Sequence, residues 1–232
     1  LNLQTYELWV YGQLHSILED AEGFIYHHST SGITDWIYPE TGTIVFKGES
    51  RTVVDRNSWS ANNLNSRFGV VFDVDPDETL VINAAFKANS FLIRSGTVRQ
   101  TVNEELIPNT STFSFNNQKE FGDEDYGEFR ILNGATLISE GTKAFNEIIR
   151  RTITKPASSF ILEEGANLVL LGEAPIIEAV NVQLDGNVYY SGDGVDQEFL
   201  ESSMTTPDTE FIYKHLFFRG AAEKMLPAEL KV

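Results

Sequence analysis

Asp73, Asp75 and Asp77 stand at alternate positions of one acidic run, and alternating carboxylates are how a calcium-binding loop begins. These three are the candidate metal ligands, and Ca2+ is the one cofactor the residues suggest. The run lacks the turn glycine and the distal glutamate of such a loop, and Pro76 interrupts it. A solvated strand-to-turn corner is the competing reading. Asp193, Asp196 and Glu198 form a second acidic cluster, and Asp123, Glu124 and Asp125 a third. Of the histidines His15, His27, His28 and His215, the adjacent pair points to opposite faces of a strand, which does not suit a shared zinc site. No serine-hydrolase elbow and no phosphate-cradling glycine loop is present. With 34 acidic residues, carboxylate pairs of the kind that cleave glycosides arise by chance, so no catalytic residue is assigned.

Aromatic residues supply the other candidate chemistry. Trp9, Tyr11, Tyr26, Trp36 and Tyr38 are rigid rings whose faces stack on sugars at little entropic cost, which makes them the candidate ligand-binding set. Closure of the core by the same rings is the alternative. Asn109-Thr110-Ser111 is the one glycosylation sequon, so Asn109 is the candidate acceptor.

Charge narrows the partners. The chain has 232 residues, 17 basic against 34 acidic, for a formal net charge of −17. Binding a phosphate backbone requires clustered Lys and Arg, so no nucleic-acid partner is expected, nor an anionic membrane surface. There is no cysteine, which excludes disulfides and thiolate metal sites. No apolar run approaches the ~20 residues of a spanning helix, so membrane insertion is not expected. Leu1 is read as the start of a processed chain or of an excised fragment. A monomer is expected.

These residues must be positioned by a repeating element. Phe, any residue, Ile or Leu, two further residues and Gly occur as Phe91 to Gly96, Phe129 to Gly134 and Phe160 to Gly165. The last two copies continue in step, with Gly134-Ala135-Thr136-Leu137 matching Gly165-Ala166-Asn167-Leu168. Phe and Ile two apart share one face of a strand, and Gly permits the turn that follows. Units recurring at a fixed offset bury their apolar faces against one another. The expected fold is therefore all-β, a right-handed parallel β-helix (β-solenoid) over residues 1–196. Residues 197–232 are expected to form a partly helical C-terminal cap, with short helices at 197–204 and 219–226. A β-sandwich is the alternative. A brief helix or ejected loop is expected between Thr142 and Ser159, and a hairpin-type turn at Asp185-Gly186.

The stretch from about 91 to 192 resembles the β-solenoid domains of fungal cell-wall adhesins of the hyphally regulated cell-wall protein type. The resemblance rests on Phe129-x-Ile131-x-Asn133-Gly134, on Phe160-x-Leu162-x-x-Gly165-Ala166-Asn167-Leu168, and on Leu184-Asp185-Gly186-Asn187-Val188-Tyr189-Tyr190. Bacterial passenger domains and phage tail spikes are similar in grammar. The fungal resemblance implies an extracellular, cell-surface or cell-wall domain that adheres to glycans or to host or abiotic surfaces without catalysis. A polysaccharide lyase or hydrolase on the same scaffold, and a viral or phage fibre, are the alternatives.

Overall fold

The computed structural model describes residues 7–11, 43–54, 69–83, 86–88, 90–101, 113–115, 127–140, 147–150, 159–173, 175–177, 179, 181–194, 196–200, 211–227 and 230–231. The chain advances in rungs. After β1 (Glu7–Val10), one rung holds β2 (Thr43–Gly48) and β3 (Arg51–Val54). The next holds β4 (Gly69–Val74), β5 (Thr79–Asn83) and β6 (Phe86–Ala88). Then follow β7 (Ser90–Ser95), β8 (Thr97–Gln100) and β9 (Phe113–Phe115). The fourth and fifth rungs are β10 (Glu128–Ile131), β11 (Thr136–Ser139) and β12 (Glu147–Arg150), then β13 (Ser159–Leu162), β14 (Asn167–Leu170) and β15 (Ile176–Ile177). The last strands are β16 (Asn181–Tyr190), β17 (Gln197–Glu198), β18 (Tyr213–Phe218) and β19 (Lys224–Met225).

Corresponding strands of successive rungs pair side by side, and every pairing among the described residues is parallel. A first stack runs β1-β2-β4-β7-β10-β13-β16 and a second runs β3-β5-β8-β11-β14-β16. The long strand β16 belongs to both, and with β18 they form one curled sheet of thirteen strands. The order β15-β12-β9-β6 is a third stack, and β17-β19 a two-stranded addition. The chain is thus all-β and compatible with a solenoid. A sandwich is excluded for this sheet, because hairpin-linked facing sheets are antiparallel.

The repeated phrase explains the register. Phe129 lies opposite Phe91 on one side and Phe160 on the other. Their rings are 5.6 and 5.3 Å apart, the latter pair nearly parallel at 18°. Ile44, Val70, Phe91, Phe129 and Phe160 form one buried column; Phe46, Phe72, Ile93, Ile131, Leu162 and Leu184 form the next. The second stack adds Leu80, Val98, Leu137, Leu168 and Val188. Alternation along each strand supplies these columns, since every second side chain faces inward. Each buried Phe contributes about 2–3 kcal/mol relative to exposure.

Corners between the first two stacks are tight turns. The Ala135 and Ala166 N–H groups donate to Leu132 and Glu163 carbonyls, each at 3.0 Å. Gly134 and Gly165 take φ of +82° and +79° there, a region that penalises any residue with a Cβ.

Several expectations are corrected. Asp185-Gly186 is not a hairpin turn: β16 runs unbroken past the corner. Gly186 is required for close approach, since a Cβ would lie 2.5 Å from both the Glu163 and Ala166 carbonyl oxygens. Residues 147–150 form strand β12 instead of a helix, because the third stack offers them β9 and β15 as neighbours. The helical cap is replaced, among the described residues, by strands. Gln197 and Glu198 pair with Lys224 and Met225, and β18 continues the main ladder on β16.

Candidate functional site

Strand β1 is half-buried by alternation. Val10 faces the core with Leu8 packed against it, while Glu7 and Trp9 face out. Trp9 lies beside Val45 of β2 and is 56% exposed; Tyr11, just past the strand, is 61% exposed. Large apolar rings are rarely left this open, and these two stand at the same end of the sheet. Tyr11 rests against the corner at Gly48, whose φ of +90° and missing Cβ leave room: a Cβ there would come within 3.2 Å of the tyrosine ring.

Charged groups surround the rings. The Trp9 indole N–H donates to Glu7 Oε2 at 2.6 Å, and Lys47 Nζ stands 4.8 Å from the indole centroid. That distance is suited to cation–π attraction. Lys47 also donates to Asp73 Oδ2 at 2.5 Å, the Ser95 hydroxyl reaches Asp73 Oδ1 at 2.9 Å, and Arg94 Nη1 lies 3.4 Å from Oδ2. Partial burial by itself would raise the Asp73 carboxyl, but the Lys47 and Ser95 hydrogen bonds and the Lys47 and Arg94 charges outweigh it and hold it below its ordinary value. The hydrogen bond to Asp73 holds the Lys47 ammonium above its own. Asp73 therefore stays ionised and holds two cations, of which Lys47 stands beside the exposed indole. Aromatic faces next to fixed donors and acceptors are the chemistry that holds a sugar ring: stacking on its C–H face and hydrogen bonds to its hydroxyls.

The other candidates fall as follows. Asp75 and Asp77 are exposed in the turn after β4, where the Glu78 N–H donates to the Asp75 carbonyl at 2.9 Å. Asp73 points to Lys47 and Arg94, and among the described residues no group of three or more His, Cys, Asp or Glu is gathered as a metal would need. Asp193 and Asp196 accept backbone N–H groups of Ala221 and Glu223 at 3.3 and 3.2 Å, which ties the C-terminal rungs together. Tyr26, Trp36, Tyr38 and Asn109, with His15, His27, His28 and the Asp123 cluster, lie outside the described residues.

One arginine–carboxylate cluster escaped the sequence reading. Arg130 on β10 donates to Glu128 at 2.9 and 3.1 Å and to Glu163 at 2.9 Å. The Glu128 and then the Glu163 hydrogen bonds raise its guanidinium pKa, so both carboxylates face a permanent cation. That arrangement reinforces the outer face of adjacent rungs. A cleft of about 260 Å³ among Phe199, Phe211, Tyr213 and Leu230 is largely apolar, and the Tyr213 hydroxyl is already bonded to Tyr190 at 2.9 Å.

Trp9, Lys47 and Asp73 are brought together across three rungs, at separations that follow no repeat. No local signal marks them as neighbours; only the ring types at 9 and 11 were suggestive. Among the described residues no helix is long and apolar enough to cross a membrane. Comparison with family models, with curated proteins and with solved structures gives no match, so the adhesin resemblance rests on its quoted motifs alone.

Proposed function

We propose that this chain is a non-catalytic surface-binding domain that recognises glycans, built as a right-handed parallel β-helix and working outside the cell, at a cell surface or wall. The observation that carries the reading is the pair of open rings, Trp9 and Tyr11, standing beside the Lys47–Asp73–Arg94 cluster at one end of a ladder-rigid sheet. Stacked strands support this use because Trp9 sits on backbone held by pairing to β2 and Tyr11 follows directly after it, so little ordering accompanies binding. The three-stack course of the chain supports the helix, and the acidic balance supports a well-solvated protein.

A glycan array followed by titration of the best oligosaccharide tests it. Trp9→Ala and Tyr11→Ala are expected to weaken binding about tenfold each, the loss of ~1–2 kcal/mol of aromatic contact, with the thermal midpoint little changed. Absence of binding across the array, or new reducing ends released from a polysaccharide, would overturn the proposal.

A further inference from the structure

We propose a second binding site, for the carboxylate of an acidic sugar, on the outer face where β16 meets β18; it rests on the glycan-binding reading and adds a ligand class to it. Tyr189 and Phe217 are register partners, and their rings stack at 4.7 Å with 18° between planes. The Arg219 guanidinium lies over the Tyr189 ring at 4.3 Å, and its backbone N–H donates to the Tyr190 carbonyl at 2.8 Å, which fixes the root of the side chain.

Among the described residues, Lys47, Arg94, Arg99, Arg130 and Lys214 each meet a carboxylate and Lys224 donates to the Gly192 carbonyl at 3.1 Å, whereas the Arg219 guanidinium meets no carboxylate or carbonyl. Asp193, close to the next two residues, has its Oδ1 engaged by the Ala221 N–H at 3.3 Å. A guanidinium over a ring and without a carboxylate partner keeps N–H donors available, and its fork matches a carboxylate in two parallel hydrogen bonds. Phe217, stacked on the same tyrosine, is 39% exposed. Two residues back along the strands, Asn187 and exposed His215 are in register, the Asn187 amide donating to Asn167 Oδ1 at 3.1 Å.

Among the described residues, Lys214 is paired with Glu164 and Lys224 is held by the Gly192 carbonyl, so Arg219 is the cation of this end left open to an anionic ligand. At physiological salt the net charge of −17 is screened beyond about 8 Å, so a ligand at Arg219 responds chiefly to its immediate surroundings. In the proposed complex an acidic sugar sets its carboxylate on Arg219 and a C–H face against the Tyr189–Phe217 ring pair.

Calorimetric titration of the full chain with tetragalacturonate and with its methyl ester tests the assignment, because the ester removes only the charge. The acid is expected to bind at least roughly tenfold more tightly than the ester, as hydrogen bonds to a charged group imply. Arg219→Gln should abolish that ratio, Arg219→Lys should leave part of it, and Arg99→Gln, at an arginine paired with Glu140 and outside both sites, should leave it intact. Equal affinity for acid and ester, an unchanged ratio in Arg219→Gln, or loss of the ratio in Arg99→Gln would each overturn the site. Failure of the glycan reading shows separately, as absence of binding to the neutral array.

Discussion

Tyr190 and Tyr213 place two phenols inside the last rungs, where their hydroxyls share a hydrogen bond of 2.9 Å and the Leu200 N–H donates to Tyr190 at 2.9 Å. Burial pushes both phenols up from 10, Tyr213 to about 12, and Tyr190, which also feels Tyr213, further in the same direction. The consequence for stability has a definite sign. Below pH 10 both folded and unfolded chains hold these protons. Above it the unfolded chain loses them while the folded chain keeps them, so stability falls as pH rises from 10 towards 12. The slope is about 1.4 kcal/mol per pH unit for each phenol. Urea midpoints at pH 8, 10 and 11 should show that decline, and Tyr213→Phe should flatten it by about half; an identical decline in the variant would contradict the assignment. Gln197 makes the same point with an amide. Fully buried, it receives the Gly192 N–H at 2.8 Å and donates to the Leu170 and Gly172 carbonyls at 3.1 and 2.7 Å, so a polar side chain closes backbone groups that the rungs leave over.

At the level of the strands, Gly186 is the position with the least freedom. Gly186→Ala places a methyl 2.5 Å from two carbonyl oxygens of the preceding rung, and neither backbone can yield without breaking the ladder. The variant is expected to lose about 2–3 kcal/mol, read as a lowered thermal midpoint; a midpoint equal to wild type would show that β16 rides further from β13 and β14 than described. This glycine also shows where sequence was legible. Phe129, Phe160 and their following glycines announced their stacking, because a 31-residue offset preserved both inward side chains and corner. Asp185-Gly186 carried the same letters as a hairpin turn, and only the carbonyls of Glu163 and Ala166 beneath it decide otherwise. Glu147–Arg150 was misread for a related reason: four apolar and polar residues fit either period, and the neighbours in the third stack choose the strand. Half of the candidate site was readable as ring types at Trp9 and Tyr11. The charged half was not, since Lys47, Asp73 and Arg94 become neighbours through pairings of β2, β4 and β7 that no short motif encodes.

The whole molecule is close to one-dimensional, each rung touching the one before and the one after. Its contacts are long-range in sequence, which makes assembly slow, since loop closure precedes reward at every rung. Protection against amide hydrogen exchange should therefore be graded. The strands β10, β13 and β14, paired on both sides, are expected to exchange slowest, and β18, which among the described residues is paired in strand register on one side, fastest. Uniform protection along the stack, followed by mass spectrometry of peptides, would contradict that order. Against this background β16 stands apart as the single strand shared by both halves of the large sheet. A tug on the C-terminal end must free β17 to β19 before it meets β16, whose residues 187–190 sit on β14 and 181–184 on β13. Tension that enters one row of hydrogen bonds is carried into the other through unbroken backbone, so β16 works as a crossbar between the two ladders.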